Sequence, residues 1–525
     1  MTGIPFHRPA RRLASGLLAV GLGLATAAGS LLAQPVGSSE GVGSRSAGAA
    51  TSSPESVADL LDPVVKRRAG RVGVAVYSVD RKAPLYLHNA DEALLPASNM
   101  KLYTTAAALA RLGPDFRYTT SLYADGPIRS DGTLEGNLLL VGRGDPTLSG
   151  RFYADSAPYV FDLFAQALRE RGIRRIAGDL IGDASYFEDE PVAPGWDAGN
   201  LLWWYGARVS ALSFNDNVVV IEVRPGGAVG APPRVAFVPR ADGLMVVNRV
   251  RTVGTRGGRS IGIKRRPDLG GYEIWGRIPI DSRPLHYVVA VEDPPAFALS
   301  VLRARLESSG IRIDGAERVV HSRTRLPRRP WQLVASHTGP RLVEIVRVIN
   351  KRSQNFFAEQ VLKTLGRMFE GDGSFADGRK VVVSVLRELG VPARELWVDD
   401  GSGLSRYDRA TARTTAQLLV AIRDQDWFEA YYQSLLEAGR DGDPRRLDDA
   451  AAVGNVRTKT GTLRGVSALS GYVTTRDGEL LAFSVITNGV PGGKGASISI
   501  EDAVAERLAR YTVWHPPLLE RDTGR

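Results

Sequence analysis

The 525-residue chain contains no cysteine and only six histidines. Without a thiol it can form no disulfide, carry no lipid on an N-terminal cysteine and build no thiolate metal site. The histidines never fall into His-Glu-x-x-His spacing, so the usual zinc peptidase is set aside. An α/β-hydrolase nucleophile elbow is not expected. Gly489-Val490-Pro491-Gly492-Gly493-Lys494 imitates a phosphate loop, but it is one residue short and continues with Gly495, so it reads as a loop after a strand. The sequence shows no aromatic-plus-basic constellation of the kind nucleic-acid binders carry, and no nucleic-acid partner is expected. Neither a metal nor an organic cofactor is implied.

Long apolar runs are also missing, with one exception. His7, Arg8, Arg11 and Arg12 precede an uncharged stretch from Leu13 to Ala33, rich in Leu, Ala and Gly. This reads as a signal peptide over residues 1–33. Its glycines and the small residues after it favour cleavage over retention as a membrane anchor, although its length could span a bilayer. Residues 34–57 are rich in Gly, Ser and Ala and read as a flexible tether. The expected product is exported, periplasmic or otherwise extracytoplasmic, and soluble. Its positive balance (+10 for the whole chain) suits peripheral association with an anionic wall or membrane surface.

What the chain does contain is a set of three short motifs: Ser98-Asn99-Met100-Lys101, Ser353-Gln354-Asn355 and Lys459-Thr460-Gly461. Singly they are weak, since Ser-x-x-Lys arises by chance about once or twice in a chain this long and Lys-Thr-Gly on the order of a tenth of a time. Ser213-Phe214-Asn215 is a decoy of the second motif, placed in a turn before a strand. Context carries the weight. Ser98 opens the run Asn99 to Leu112, whose Leu102, Ala106, Leu109 and Ala110 keep helical spacing up to the Gly113-Pro114 stop. Lys101 then lies one turn from Ser98 on the same face. The bland alternative makes Ser98 an N-cap and Lys101 a solvated side chain. Ser353 lies between two helical stretches, where simple capping is again the plain alternative. Lys459 leads into two strands, Ser467 to Val473 and Glu479 to Thr487, joined through Asp477-Gly478.

In this order and context the motifs resemble the D-alanyl-D-alanine carboxypeptidase/endopeptidases of the penicillin-binding protein 4 type. The segments Gly142 to Leu148, Lys351 to Asn355, Asp400 to Arg406 and Lys459 to Thr462 all look like blocks of that family, in its order. Gln354 stands where Asp is common, at a position not expected to do chemistry. The resemblance implies an α+β fold: a serine β-lactamase/transpeptidase-like catalytic domain with a large β-rich insertion forming two nested accessory domains. The catalytic domain is expected at 58–123 and 325–525, the insertion at 124–324, and its inner part at roughly 195–285.

The chemistry expected is acyl transfer. A serine hydroxyl needs an adjacent base, and Lys101 can serve if burial and the second cation, Lys459, hold it partly neutral. Ser353 would relay the proton to the leaving amine and Asn355 would orient Lys101 and substrate. The resemblance implies an oxyanion hole from the backbone N–H groups of Ser98 and Thr462. It also implies that Lys459, Thr460, Gly461 and Thr462 form the strand that receives the substrate carboxylate. Asp183 and Arg406 match positions that bind a diamino acid side chain in relatives; the plain alternative is a turn cap for Asp183 and a surface ion pair for Arg406. The expected partners are peptidoglycan stem peptides and cross-links, and β-lactams bound covalently. Two other readings use the same residues. A serine β-lactamase would normally be a much shorter chain, and a noncatalytic wall-binding or penicillin-sensing protein would not need the full set.

Overall fold

The computed structural model describes residues 56–512, apart from 67, 68, 325, 327 and 328. The expected signal peptide and nearly all of the tether lie outside the described residues. The last two tether positions are a correction. Ser56 caps the helix Val57–Val65, its hydroxyl accepting from Asp59 N while Asp59 accepts back from Ser56 N, each at 3.1 Å. This Ser-x-x-Asp box satisfies amides that the helix start leaves unpaired.

A six-stranded antiparallel sheet organises the first domain, in the order Leu436–Glu437, Arg457–Leu463, Val466–Thr474, Leu480–Asn488, Arg71–Ser78 and Ala83–His88. The first and last strands of the described residues thus share one sheet, so the chain leaves this sheet after its second strand and returns to it late. Both faces are covered, which is why its central strands are buried throughout rather than at alternate residues. Val72, Val74 and Val76 pack with Leu61, Val504 and Leu508 of the helices Val57–Val65 and Gly493–Arg510. Ala75, Tyr77 and Tyr472 pack on the opposite face with the helices Met100–Leu112 and Ala412–Ala421. Helix Met100–Leu112 is buried almost all round, as suits a core helix. It ends where Gly113, at φ 79°, donates to Leu109 O at 3.1 Å, a left-handed stop followed by Pro114.

The chain enters the insertion earlier, and leaves it later, than the expected junctions at 123/124 and 324/325. Strand Arg117–Ala124 pairs with Leu138–Val141 on one side and Gln332–Arg341 on the other, within a five-stranded sheet completed by Leu180–Asp183 and Glu317–Val320. The helices Tyr159–Glu170 and Pro294–Ser308 contribute Phe161, Phe164, Leu299 and Leu302 to the core of this part. Two further three-stranded sheets follow. One joins Leu285–Ala290, Val218–Arg224 and Arg234–Val238; the other joins Met245–Val253, Gly271–Pro279 and Ser260–Arg266. They span 218–290, so the inner part begins after and ends beyond the expected 195–285. Gly258-Arg259-Ser260-Ile261-Gly262 has the spacing of a hydrolase elbow, yet Ser260 opens a strand with no helix behind it.

Candidate active site

Ser98 lies in a 3-10 turn, Ala97–Asn99, that runs directly into helix Met100–Leu112. Its side chain makes no capping bond there, so the plain reading of an N-cap fails. Ala97 holds φ 46°, an unfavourable conformation for a residue with a Cβ. The turn is gripped by strand Arg457–Leu463. A Cβ on Gly461 would sit 2.8 Å from Pro96 O and 3.0 Å from Ser98 N, so only glycine lets the strand approach this closely. Beyond its short pairing with Leu436–Glu437 the strand's outer edge has no strand partner among the described residues. The backbone there is open to an extended ligand.

Two buried lysines converge on this turn. Lys101 Nζ lies 3.1 Å from Ser98 Oγ, 2.7 Å from Asn355 Oδ1 and 2.6 Å from Ser402 O, which uses all three of its donor directions. Burial brings its pKa down to about 8, against the pull of Glu359, Asp400 and Asp408, which favour the charged form. Lys459 Nζ lies 3.0 Å from Ser353 Oγ and 2.7 Å from Thr460 O. Burial, then the charge of Lys101, hold Lys459 well below the ordinary lysine range. Ser353 stands between helices Leu342–Lys351 and Asn355–Phe369 at φ 52°. The cap of the second helix is Gln354, which accepts from Phe356 N at 3.3 Å, so Ser353 is released from capping. Gln354 is not idle: its amide also donates to Asp216 of the insertion at 2.9 Å.

The sequence reading missed the support beneath Lys101. Ser402 O, one acceptor of the ammonium, belongs to a loop wound around the Asp400 carboxylate, which accepts from Ser402 N, Gly403 N and Ser405 N at 3.1, 2.6 and 2.7 Å. Trp196 of the insertion donates its indole N–H to the same carboxylate at 2.6 Å. Asn355, another acceptor of Lys101, donates to Tyr205 O of the insertion at 2.8 Å. Glu359 accepts from Gly401 N at 2.6 Å, and its other oxygen has no partner among the described residues. Burial, then the charge of Asp400, hold Glu359 well above the carboxylate range.

Residues 56–511 match the model of the D-Ala-D-Ala carboxypeptidase 3 (S13) family. A D-alanyl-D-alanine carboxypeptidase of Actinomadura sp. (strain R39) is 34% identical over 474 residues, covering 87% of this chain and 84% of that protein. The chain belongs to the S13 family. D-alanyl-D-alanine carboxypeptidase DacB of Haemophilus influenzae is 26% identical over 83% of this chain and 89% of its own length. The crystal structure of penicillin binding protein 4 from H. influenzae superposes with a TM-score of 0.75 over 87% of this chain and 99% of that one, at 24% identity. That likeness shows the fold: the α+β, transpeptidase-like architecture with extra domains.

In this S13 carboxypeptidase of the penicillin-binding protein 4 type, the five residues fall into two hydrogen-bonded groups, Ser98–Lys101–Asn355 and Ser353–Lys459. Thr460 and Thr462 flank Gly461 on the strand beside them and line a cavity of about 240 Å³ with Lys494 and Arg446. Asp183 and Arg406 are not joined: among the described residues no ion pair links them. Asp183 accepts from Ser185 N at 2.9 Å and Ser185 Oγ at 2.5 Å, a turn at the end of strand Leu180–Asp183. Arg406 donates to Arg464 O at 3.1 Å and lies 3.9 Å from the Asp197 carboxylate. Asp183 thus carries the turn role of the plain reading, and Arg406 keeps a partly exposed guanidinium.

Proposed function

We propose that this protein is a serine-type DD-peptidase that hydrolyses peptidoglycan stem peptides through a Ser98 acyl-enzyme. One observation carries the reading: a buried lysine of depressed pKa, Lys101, 3.1 Å from Ser98 Oγ and fully committed to fixed acceptors. Lys101 takes the Ser98 proton as Oγ bonds to the carbonyl carbon of the penultimate D-alanine. The oxyanion develops beside the N–H groups of Ser98 and Thr462. Collapse breaks the peptide bond, and Ser353, held by Lys459, passes the proton to the departing amine. Asn355 keeps Lys101 aimed. Water then hydrolyses the Ser98 ester and restores the hydroxyl. Lys459, Thr460 and Thr462 hold the terminal carboxylate of the substrate.

The same site accounts for two finer activities. A D-Ala–diamino acid cross-link presents the same D-alanyl carbonyl, so endopeptidase cleavage needs no further chemistry. A β-lactam carbonyl acylates Ser98 in the same way. We also assign to Asp183 and Arg406 recognition of the zwitterionic end of a diamino acid side chain, one anion and one cation for its two charges. The leading segment 1–33 supports export to the compartment where such substrates lie. No helix among the described residues is long and apolar enough to cross a membrane. The test is release of D-alanine from a diaminopimelate-bearing pentapeptide. The wild type should release it and Ser98→Ala should not; equal release by both would overturn the assignment.

A further inference from the structure

The chain's positive charge is concentrated in one place. Residues 218–290 hold twelve Lys and Arg against five Asp and Glu, a net +7, while the entire 525-residue chain carries +10. These 73 residues are the two inner sheets of the insertion. Within them, five of the twelve cations share one surface. In the sheet of Met245–Val253, Gly271–Pro279 and Ser260–Arg266, the inward positions are Val250, Tyr272, Ile274 and Ile278, all buried. The register then puts Arg249, Arg251, Trp275, Arg277, Lys264 and Arg266 on the outward face. Glu273 is the acid among them, and it already serves Arg249, Lys264 and Arg266 at 3.0, 3.1 and 2.9 Å.

At one end of this face nothing balances the charge. Arg251 and Arg277 are register partners on adjacent strands, and the turn after Val253 adds Arg256 and Arg259. All four are exposed, and among the described residues none makes an ion pair. Like charges directly opposite in a sheet are destabilising, so folding alone gives no reason for the arrangement. Trp275 lies at the middle of the face, 42% exposed and within 5.8 Å of the Lys264 ammonium. Its ring lies flat over Gly262, where a Cβ would meet it at 2.4 Å. Such a face offers a repeating anion both counter-charges and an apolar plate for the carbon units between them. The pattern escapes a linear reading because it alternates across three strands.

We infer that the outer face of this inner sheet docks an anionic wall polymer, a chain of phosphodiester-linked polyol or sugar units, and so tethers the S13 peptidase beside its substrate. The cationic face stands without the proposed peptidase mechanism. The choice of a wall polymer over a nucleic acid rests on the export and substrate proposed above.

The test is binding of the full-length protein, after any leader is removed, to fluorescent poly(glycerol phosphate), measured by anisotropy over a range of NaCl. Inorganic polyphosphate and a polyribonucleotide of matched charge serve as comparisons. Saturable binding that weakens with salt is expected, with poly(glycerol phosphate) preferred. Arg251→Glu/Arg277→Glu should weaken it at least tenfold, and Trp275→Ala should erase the preference over polyphosphate. Penicillin acylation by these variants should be unchanged, which separates failure of docking from failure of the peptidase reading. No binding, or binding indifferent to the charge reversals, would overturn the proposal. Tighter binding of the polyribonucleotide would replace the wall polymer with nucleic acid.

Discussion

Trp196 donates its indole N–H to the Asp400 carboxylate at 2.6 Å, and that bond ties the insertion to the loop whose Ser402 carbonyl holds Lys101. Tyr205 makes a second tie through Asn355. The insertion therefore helps set the position of the lysine beside Ser98. Trp196→Phe keeps the aromatic ring and removes only the donor. Loss of one charge-assisted bond, ~1.5–3 kcal/mol, should slow penicillin acylation about tenfold or more. The pH midpoint of acylation should also move lower, because a less firmly held Ser402 carbonyl stabilises the ammonium less. A slower rate with an unmoved midpoint would make the tie purely structural.

The depressed Lys101 sets the pH response of the enzyme. Its folded pKa is about 8 and its ordinary value is 10.5. The base is therefore scarce below pH 8, and the acylation rate should climb tenfold per pH unit there before levelling off above it. The same depression means that the folded state binds fewer protons than the unfolded chain between about pH 8 and 10.5. This lysine's contribution to stability rises with pH across that window. Stopped-flow acylation from pH 6 to 10 checks the profile; a flat rate would exclude Lys101 as the base.

Gly461→Ala tests the close approach of strand to nucleophile turn. The added Cβ would meet the backbone of the turn at two points, 2.8 Å from Pro96 O and 3.0 Å from Ser98 N, so strand or turn must move. Overpacking of this kind costs about 1–3 kcal/mol. Acylation should fall at least a hundredfold, because Thr462 N–H and Lys459 ride on the same strand. A melting curve checks that the protein remains folded; near-normal acylation would mean the strand can shift without consequence.

The sequence made the parts with local periodicity legible. Ser98 and Lys101 are one helical turn apart, Lys459 is on a strand with a readable hairpin behind it, and the helix ending at Gly113-Pro114 stops where its residues require. What escaped depends on folded backbone. Ser402 acts through its carbonyl, whatever its side chain, and nothing in the string marks Ser353 for φ 52°. Trp196 and Tyr205 reach residues 150 or more positions away. The contact of Gln354 with Asp216 is likewise distant in sequence, so the string does not show it. The junctions of the insertion shifted because strands Arg117–Ala124 and Gln332–Arg341 meet only after some 200 residues fold between them. Ser56, by contrast, stands three residues before Asp59, a capping box that is local in sequence.

Asp183 has two roles to separate. Its carboxylate holds a turn through Ser185, so Asp183→Ala removes that support as well as the charge and should cost about 1–2 kcal/mol of stability. Asp183→Asn retains an acceptor for Ser185 and loses only the charge. If Asp183 recognises the diamino acid, Asp183→Asn should cut kcat/KM on a diaminopimelate pentapeptide about tenfold while leaving penicillin acylation intact. Arg406→Ala should do the same. Full activity of Asp183→Asn on the pentapeptide would confine Asp183 to the turn.

The most direct test of the account is the intact mass of the protein after brief exposure to penicillin, followed by peptide mapping of the adduct. The account predicts a single adduct on the peptide containing Ser98, absent in Ser98→Ala and absent in a folded Lys101→Ala. An adduct that persists in Ser98→Ala, or that maps to Ser353 or any other residue, would contradict it.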